Sequence, residues 1–233
     1  MSESTVSYRG YRFPAEIISH AVWLYYRFSL SFRDIEDLLA ERGIVVSYGA
    51  IRQWCKKFGS EYAQRLKRKQ GHLGDRWHLD EMFVKIQGRQ MYLWRAVDQD
   101  GDVLDILVQS RRDARAAKRF FRKLLKGQGC GPNHLVTDKL KSYSAAHREM
   151  MPSVPHETSR WSNNRAEVSH EAVRHRERQL RRFKSPGHAQ HFLSIHSVIG
   201  NLFRVCRQKV NAANYRLLRT RSFKVWQQVT CAC

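Results

Sequence analysis

Residues 77–86 read Trp77-His78-Leu79-Asp80-Glu81-Met82-Phe83-Val84-Lys85-Ile86, a run rich in β-branched and aromatic side chains that predicts a strand. Asp80 stands inside this apolar run. Unpaired acids are normally kept out of such surroundings because desolvating the charge is costly. A structural core gives no reason to place one there, and the expected compensation is a divalent metal ion. Glu81 follows directly, but neighbours on a strand point to opposite sides, so if Asp80 faces a site, Glu81 is expected to face away as a surface acid or salt-bridge partner.

Outward from this strand, the pattern predicts two more, at residues 90–97 and 103–109, joined by Gln87-Gly88-Arg89 and by Asp98-Gln99-Asp100-Gly101-Asp102. Short Gly- and Asp-rich links of this kind belong to antiparallel hairpins. Asp113 then caps a helix with Ala116, Ala117, Phe120, Phe121, Leu124 and Leu125 inward, ended by Gly127 and Gly129. The buried run His134-Leu135-Val136-Thr137 predicts a fourth strand, ending at Asp138. Ser142 is expected to cap a short helix reaching Met150, and residues 154–157 form a weak fifth strand. A long charged helix starts at Asn163, and another helix covers about 188–206. The order is that of an α/β domain, one mixed sheet flanked by helices.

Before the sheet, three short helical patterns follow one another. The first starts at Pro14, the second is capped by Ser31 and ends at Arg42-Gly43, and the third is capped by Ser47. Ile51 and Trp54 point inward on the third, leaving Arg52, Gln53, Lys56 and Lys57 outside. This all-α plan matches a helix-turn-helix whose last helix enters the major groove. The expected organisation is a helix-turn-helix domain over 1–60, a linker over 61–75, an α/β catalytic domain over 76–206 and a basic, irregular tail over 207–233.

The 233 residues hold 42 Lys and Arg against 21 Asp and Glu, a formal charge of +21. That excess repels itself but suits a polyanion, since each cation that meets a phosphate releases condensed counterions. Nucleic acid is the expected partner. The five cysteines, Cys55, Cys130, Cys206, Cys231 and Cys233, are odd in number and contain no CxxC pair, which argues against a disulfide framework. With no signal-peptide pattern and no apolar run long enough to span a bilayer, the expectation is a soluble cytoplasmic protein with no membrane partner.

Asp80 and Asp138 end up on strands that one mixed sheet can set side by side. On the charged helix, Glu167, His170, Glu171 and Arg174 share one face by their i, i+3, i+4, i+7 spacing. Three hard oxygen donors there can hold two Mg²⁺ ions, one activating a nucleophile and one stabilising the leaving oxygen of a phosphoryl displacement. From the residues alone, Glu171 rivals Glu167 as the third acid. His170-Glu171-Ala172-Val173-Arg174 fails as a zinc-protease motif because Arg174 occupies the place of its second histidine. The basic run Arg174, Arg176, Arg178, Arg181, Arg182 and Lys184 continues the helix and is expected to lead DNA phosphates toward the acids. Trp94 and Trp161 are read as core, with base stacking as the alternative.

The pieces WHLDEMFVKIQGRQMYLWRAVDQDGDVLDILVQSRRDARAAKRFF, TDKLKSY and NNRAEVSHEAVRHRERQLRRFKS resemble the DDE transposases of the bacterial insertion-sequence 6 family, over nearly the whole chain. The resemblance implies a ribonuclease-H-like core in which Asp80, Asp138 and Glu167 are the catalytic metal ligands for two Mg²⁺ (or Mn²⁺) ions and Arg174 is the basic residue two turns beyond. It also implies cleavage and strand transfer on double-stranded DNA bearing terminal inverted repeats, a target DNA, a homo-oligomer on DNA and a place on the bacterial nucleoid. The chain departs from the family in one respect: 28 residues (167 − 138 − 1) separate the last two acids, fewer than is usual. A shortened surface connection leaves the sheet in place, so activity is expected to survive. The alternative readings are a DNA-binding regulator, a simple nuclease, or a catalytically dead copy.

Overall fold

The computed structural model describes residues 6–71, 73–159, 162–179, 183–204 and 210–231, without the side chains of Arg165, Glu167, Ala172 and residues 176–179. Trp161, Arg181, Arg182, Cys206 and Cys233, and the side chains of Arg176 and Arg178, therefore lie outside the described residues. The chain divides into two compact units, residues 1–70 with 198–233, and residues 71–197.

In the first unit, α1 (Ala15–Arg27), α2 (Phe32–Ala40) and α3 (Tyr48–Lys69) follow the local signals. Ser31 accepts from Asp34 N while the Asp34 carboxylate accepts from Ser31 N, a reciprocal cap. Ser47 caps α3 through Ala50 N. Ile18, Val22, Ile35, Ile51 and Phe58 close a dry core. At Gly59 a Cβ would lie 2.6 Å from the Tyr26 ring, so only glycine admits the close α1–α3 crossing.

The linker expectation fails over 61–69, because α3 continues to Lys69 with Tyr62, Ala63 and Leu66 buried on the same face as Phe58. The irregular tail is also corrected: residues 212–230 form α8 (Ala212–Thr230), capped by Asn211. Trp226 packs edge-on to Tyr62 at 5.3 Å, and Arg65 donates to Val229 O at 3.1 Å, so α8 completes the core of α3.

In the second unit, β1 (Arg76–Ile86), β2 (Arg89–Val97), β3 (Val103–Gln109), β4 (His134–Thr137) and β5 (His156–Glu157) form one sheet in the order β3-β2-β1-β4-β5. β1, β2 and β3 are antiparallel, whereas β4 runs parallel to β1 and β5 parallel to β4. This is the ribonuclease-H-like arrangement. The β1–β2 turn holds Gln87 at φ 50° and Gly88 at φ 78°, a two-residue hairpin whose positive φ values match strand twist. Buried Asp98 organises the next turn by accepting from the backbone N–H of Asp100, Asp102 and Gly74.

Alternation along β1 sets the two faces. Trp77 and Leu79 join Trp94, Leu135 and the apolar sides of α4 (Ala114–Gln128) and α5 (Lys141–Met150) in one core. α6 (Asn164–Gln179) lies on the opposite face against β1 and β2. α7 (Pro186–Leu202) carries Gln190, which accepts from Val108 N at 2.8 Å and so occupies part of the β3 edge. Ser142 does not cap α5 as expected. The N-cap is Leu140, two residues earlier, and the Ser142 hydroxyl donates to Arg112 O at 3.4 Å.

The β4–β5 end carries a pH-sensitive pair. His156 Nε2 meets Thr137 Oγ1 at 2.8 Å, and its ring lies 4.7 Å from that of His147. Burial, and then the His147 charge, hold the His156 pKa below its ordinary 6.5. The folded state therefore binds fewer protons than the unfolded chain near that pH. Stability is fully present above pH 6.5 and is lost as the pH falls toward the folded value. Urea unfolding between pH 5 and 8 is expected to show this acid loss, and His156→Gln to flatten it.

Candidate functional site

The parallel β1–β4 ladder pairs Trp77 with Leu135, His78 with Val136 and Leu79 with Thr137. One further step along that register sets Asp138 beside Asp80. Two acids far apart in sequence thus become neighbours through backbone pairing alone. Asp80 faces α6, where His170 Nε2 lies 3.2 Å from its Oδ2. The Asp80 side chain is 14% exposed and that of His170 5%, so the contact is largely withdrawn from water.

Glu81 is the surprise of the site. Its Cα alternates to the α5 face as strand geometry requires, yet its carboxylate converges with those of Asp80 and Asp138, one oxygen of each lying within 4.8 Å of the others. The carboxyl is not a surface acid, being 2% exposed. Arg112, in the link between β3 and α4, donates to Glu81 Oε1 through Nε at 2.6 Å, and its Nη2 lies 3.7 Å from Asp138 Oδ2. Burial pushes the Glu81 pKa up to about 7; Asp138 and Asp80 add to the rise, and Tyr143 and Arg112 oppose it. Burial, with Glu81 beside it, holds the Tyr143 phenol protonated well above its usual range. Burial alone would lower Arg112, but Glu81, with Asp138 and Tyr143, offsets this and raises it.

Asp138 is set by its own loop, where Oδ1 accepts from Leu140 N at 3.0 Å. α6 is anchored twice. Asn163 donates to Leu79 O at 2.8 Å, one residue before Asp80, and buried Arg95 donates from Nε to Ser169 Oγ at 2.9 Å. Arg95 is the register partner of Asp80 on β2, so the same β-pair positions the acid and the helix above it.

Of the residues expected at the site, Asp80 and Asp138 come together. Glu167 lies on α6 one turn before His170, with its side chain outside the described residues. Its rival Glu171 is exposed, as is Arg174. The face expected to carry residues 167, 170, 171 and 174 is therefore divided, with His170 turned inward and Glu171 and Arg174 outward. Arg52, Gln53, Lys56 and Lys57 are all exposed on α3, and Lys184 is exposed after α6. Glu81, Arg112 and Tyr143 were missed as site residues. The available signal was the side-by-side placement of Arg112 and the Asp113 cap, which fixes Arg112 at the entry to α4.

The donor set fits a hard divalent cation, because carboxylate oxygens from β1 and from the end of β4 converge on one small volume. A ribonuclease-H-like sheet with such a cluster at its central strands defines a core for phosphoryl transfer on nucleic acid. A family model described as a DDE domain matches residues 74–205. The transposase for insertion sequence-like element IS431mec of Staphylococcus aureus is 32% identical over 172 residues, 72% of this chain and 76% of the relative. The transposase for insertion sequence element IS257 in transposon Tn4003, also from Staphylococcus aureus, is 31% identical over the same shares, 72% and 76%. Among solved structures, the HTLV-2 integrase catalytic core domain in complex with magnesium aligns at a TM-score of 0.44 and 14% identity, covering 62% of this chain and 94% of that one. The chain belongs to the DDE transposases of the insertion-sequence 6 family. Its activity is DNA cleavage and transposition, and among the described residues no helix is long and apolar enough to cross a membrane.

Proposed function

We propose that this transposase cleaves double-stranded DNA at terminal inverted repeats and transfers the freed strand into a target DNA, giving replicative fusions. The observation that carries the reading is the β1–β4 register, which sets Asp138 beside Asp80 under α6. Asp80, Asp138 and Glu167 would hold the metal, in our reading two Mg²⁺ or Mn²⁺ ions. When bound, these ions supply Lewis-acid stabilisation to the displaced oxygen of an in-line displacement.

The chain's own residues supply the positioning. His170 Nε2 lies against the Asp80 carboxylate on the α6 side, and Leu140 N donates to that of Asp138. Arg174, exposed on α6, contacts the phosphate near the scissile bond. Water is the first nucleophile, releasing a 3′ hydroxyl. That hydroxyl then attacks a target phosphodiester, so one P–O bond forms as one breaks. The exposed row Arg52, Gln53, Lys56 and Lys57 on α3 reads the terminal repeat, and Arg176, Arg178, Arg181, Arg182 and Lys184 guide the backbone. The protein works as a homo-oligomer on DNA, at the nucleoid.

The test is a joining reaction. Full-length protein is mixed with pre-cleaved terminal-repeat ends, a target plasmid and Mg²⁺ or Mn²⁺. Covalently joined product is expected. Nicking without joining under either metal marks a simple nuclease, and binding without nicking or joining marks a regulator or a dead copy.

A further inference from the structure

Beyond the residues assigned above, the outer face of α4 carries a second strip of positive charge. Arg111, Arg115 and Arg119 line a cleft of about 320 Å³ together with Gln109, Ser110 and Asp113. Arg122 and Lys126 continue the same face at helical spacing, and all five cations are exposed. From Arg115 to Lys126 the strip runs about 16 Å at 1.5 Å per residue. The opposite side of α4 holds Ala117, Phe120, Phe121 and Leu124 in the core, so the strip must face outward.

Among the described residues, Arg111 pairs only with Asp113 at 3.9 Å, and the strip's cations on the helix itself are not matched by an acid. The flanking Lys118 pairs with Glu149 and Lys123 with Asp105. By contrast, among the described residues no carboxylate lies within salt-bridge distance of Arg115, Arg119, Arg122 or Lys126. Arg119 donates to the neutral Gln109 at 3.2 Å. The single acid of the cleft, Asp113, accepts from Ala116 N at 2.9 Å and meets Arg111 only at 3.9 Å. Like charges four residues apart weaken a helix, and cations in its first turn oppose its dipole. α4 has no acid in its first turn to compensate. The N-cap carboxylate of Asp113 offsets part of this at the helix start, and the row of cations beyond it is stabilised by an anion.

The geometry points to the α4 strip as a DNA-backbone site, in which Arg111, Arg115 and Arg119 take successive phosphates. Arg112, the neighbour of Arg111, lies against Glu81 and near Asp138, so phosphates in the cleft belong to DNA entering the catalytic acids. A nucleic acid suits the strip better than an acidic protein surface because the strip is a row of guanidinium groups with no apolar anchor between them. The inference rests on the DNA-joining reading for its biological use, but its first test does not depend on catalysis.

The test uses full-length protein carrying Arg111→Gln, Arg115→Gln and Arg119→Gln together, with Arg112 untouched. Anisotropy titrations against a terminal-repeat duplex and an unrelated duplex are run over a salt series. The slope of log affinity against log salt is expected to fall by about 2 to 3 on at least one duplex, at roughly 0.9 for each phosphate no longer neutralised. The same three positions changed to Lys restore the slope. The Gln variant melts no lower than wild type, since like-charge repulsion is removed. If the duplex engaged is the flanking or repeat DNA, end binding weakens; if it is the target, end binding is unchanged and the target concentration for half-maximal joining rises several-fold. Unchanged slopes on both duplexes overturn the proposal, as does a lowered melting temperature that Lys does not rescue. Failure of the wild type to join would count against the joining reading alone, and the salt slopes would still decide the strip.

Discussion

Asp80→Asn is expected to abolish strand cleavage and strand transfer, by at least about 10³-fold, while DNA binding stays within about two-fold of wild type. The substitution keeps the shape of the side chain and its packing under α6, and removes one carboxylate oxygen from a cluster whose members lie within 4.8 Å. Losing a single hard donor from such a site removes several kcal/mol of transition-state stabilisation, about 4 kcal/mol for a thousand-fold. The α3 cations lie in the other compact unit and keep their charge. Parallel measurements of joining and of duplex binding check the result. Retained joining in Asp80→Asn would remove this acid from the chemistry.

Trp94→Ala carries the largest expected cost to folding, about 3–5 kcal/mol. Trp94 is fully buried, 5.3 Å from Tyr143 edge-on and 6.2 Å from Phe120. It is the register partner of Glu81, so the cavity opens directly beneath the acidic cluster. Trp94→Phe is expected to cost much less than the alanine change. Among the described residues the indole N–H of Trp94 has no hydrogen-bond partner, and phenylalanine removes that group while filling most of the space. Urea unfolding followed by circular dichroism measures both variants. A base-stacking role for Trp94 predicts instead a stable alanine variant with weakened DNA binding.

Much of the fold was legible in local signals. Ser31, Ser47, Asp113 and Gly129 each mark a helix end through chemistry confined to a few residues, and the meander follows from period-two patterning and two turn sequences. α8 was not legible in the same way. Two of its four buried residues, Ser222 and Thr230, are polar, and the burial of Trp226 and Val229 depends on α3 more than 160 positions earlier (229 − 65 = 164). The extension of α3 was available in Phe58, Tyr62 and Leu66, an i, i+4, i+8 row, but the polar residues between them outweighed it.

The two aspartates of the site were legible because each sits at the end or middle of an apolar strand. Glu81 was not, since alternation describes where a Cβ points and says nothing about how far a long side chain reaches at the end of a neighbouring strand. Arg112 depends on the same three-dimensional closure. Arg174 and Glu171 show the converse error: a shared helix face drawn from spacing was split by the sheet, which admits His170 and leaves its neighbours in solvent.

The Asn163 tie to Leu79 O fixes where α6 starts relative to Asp80, whatever the length of chain that precedes it. The chain between β5 and Asn163 can therefore gain or lose length without shifting the helix over the acids. Descendants of one ancestral element could drift by insertion and deletion in that segment and keep a common reaction centre. The spacing between Asp138 and the proposed third acid then records lineage, and the β1 carbonyl to which α6 is pinned records chemistry.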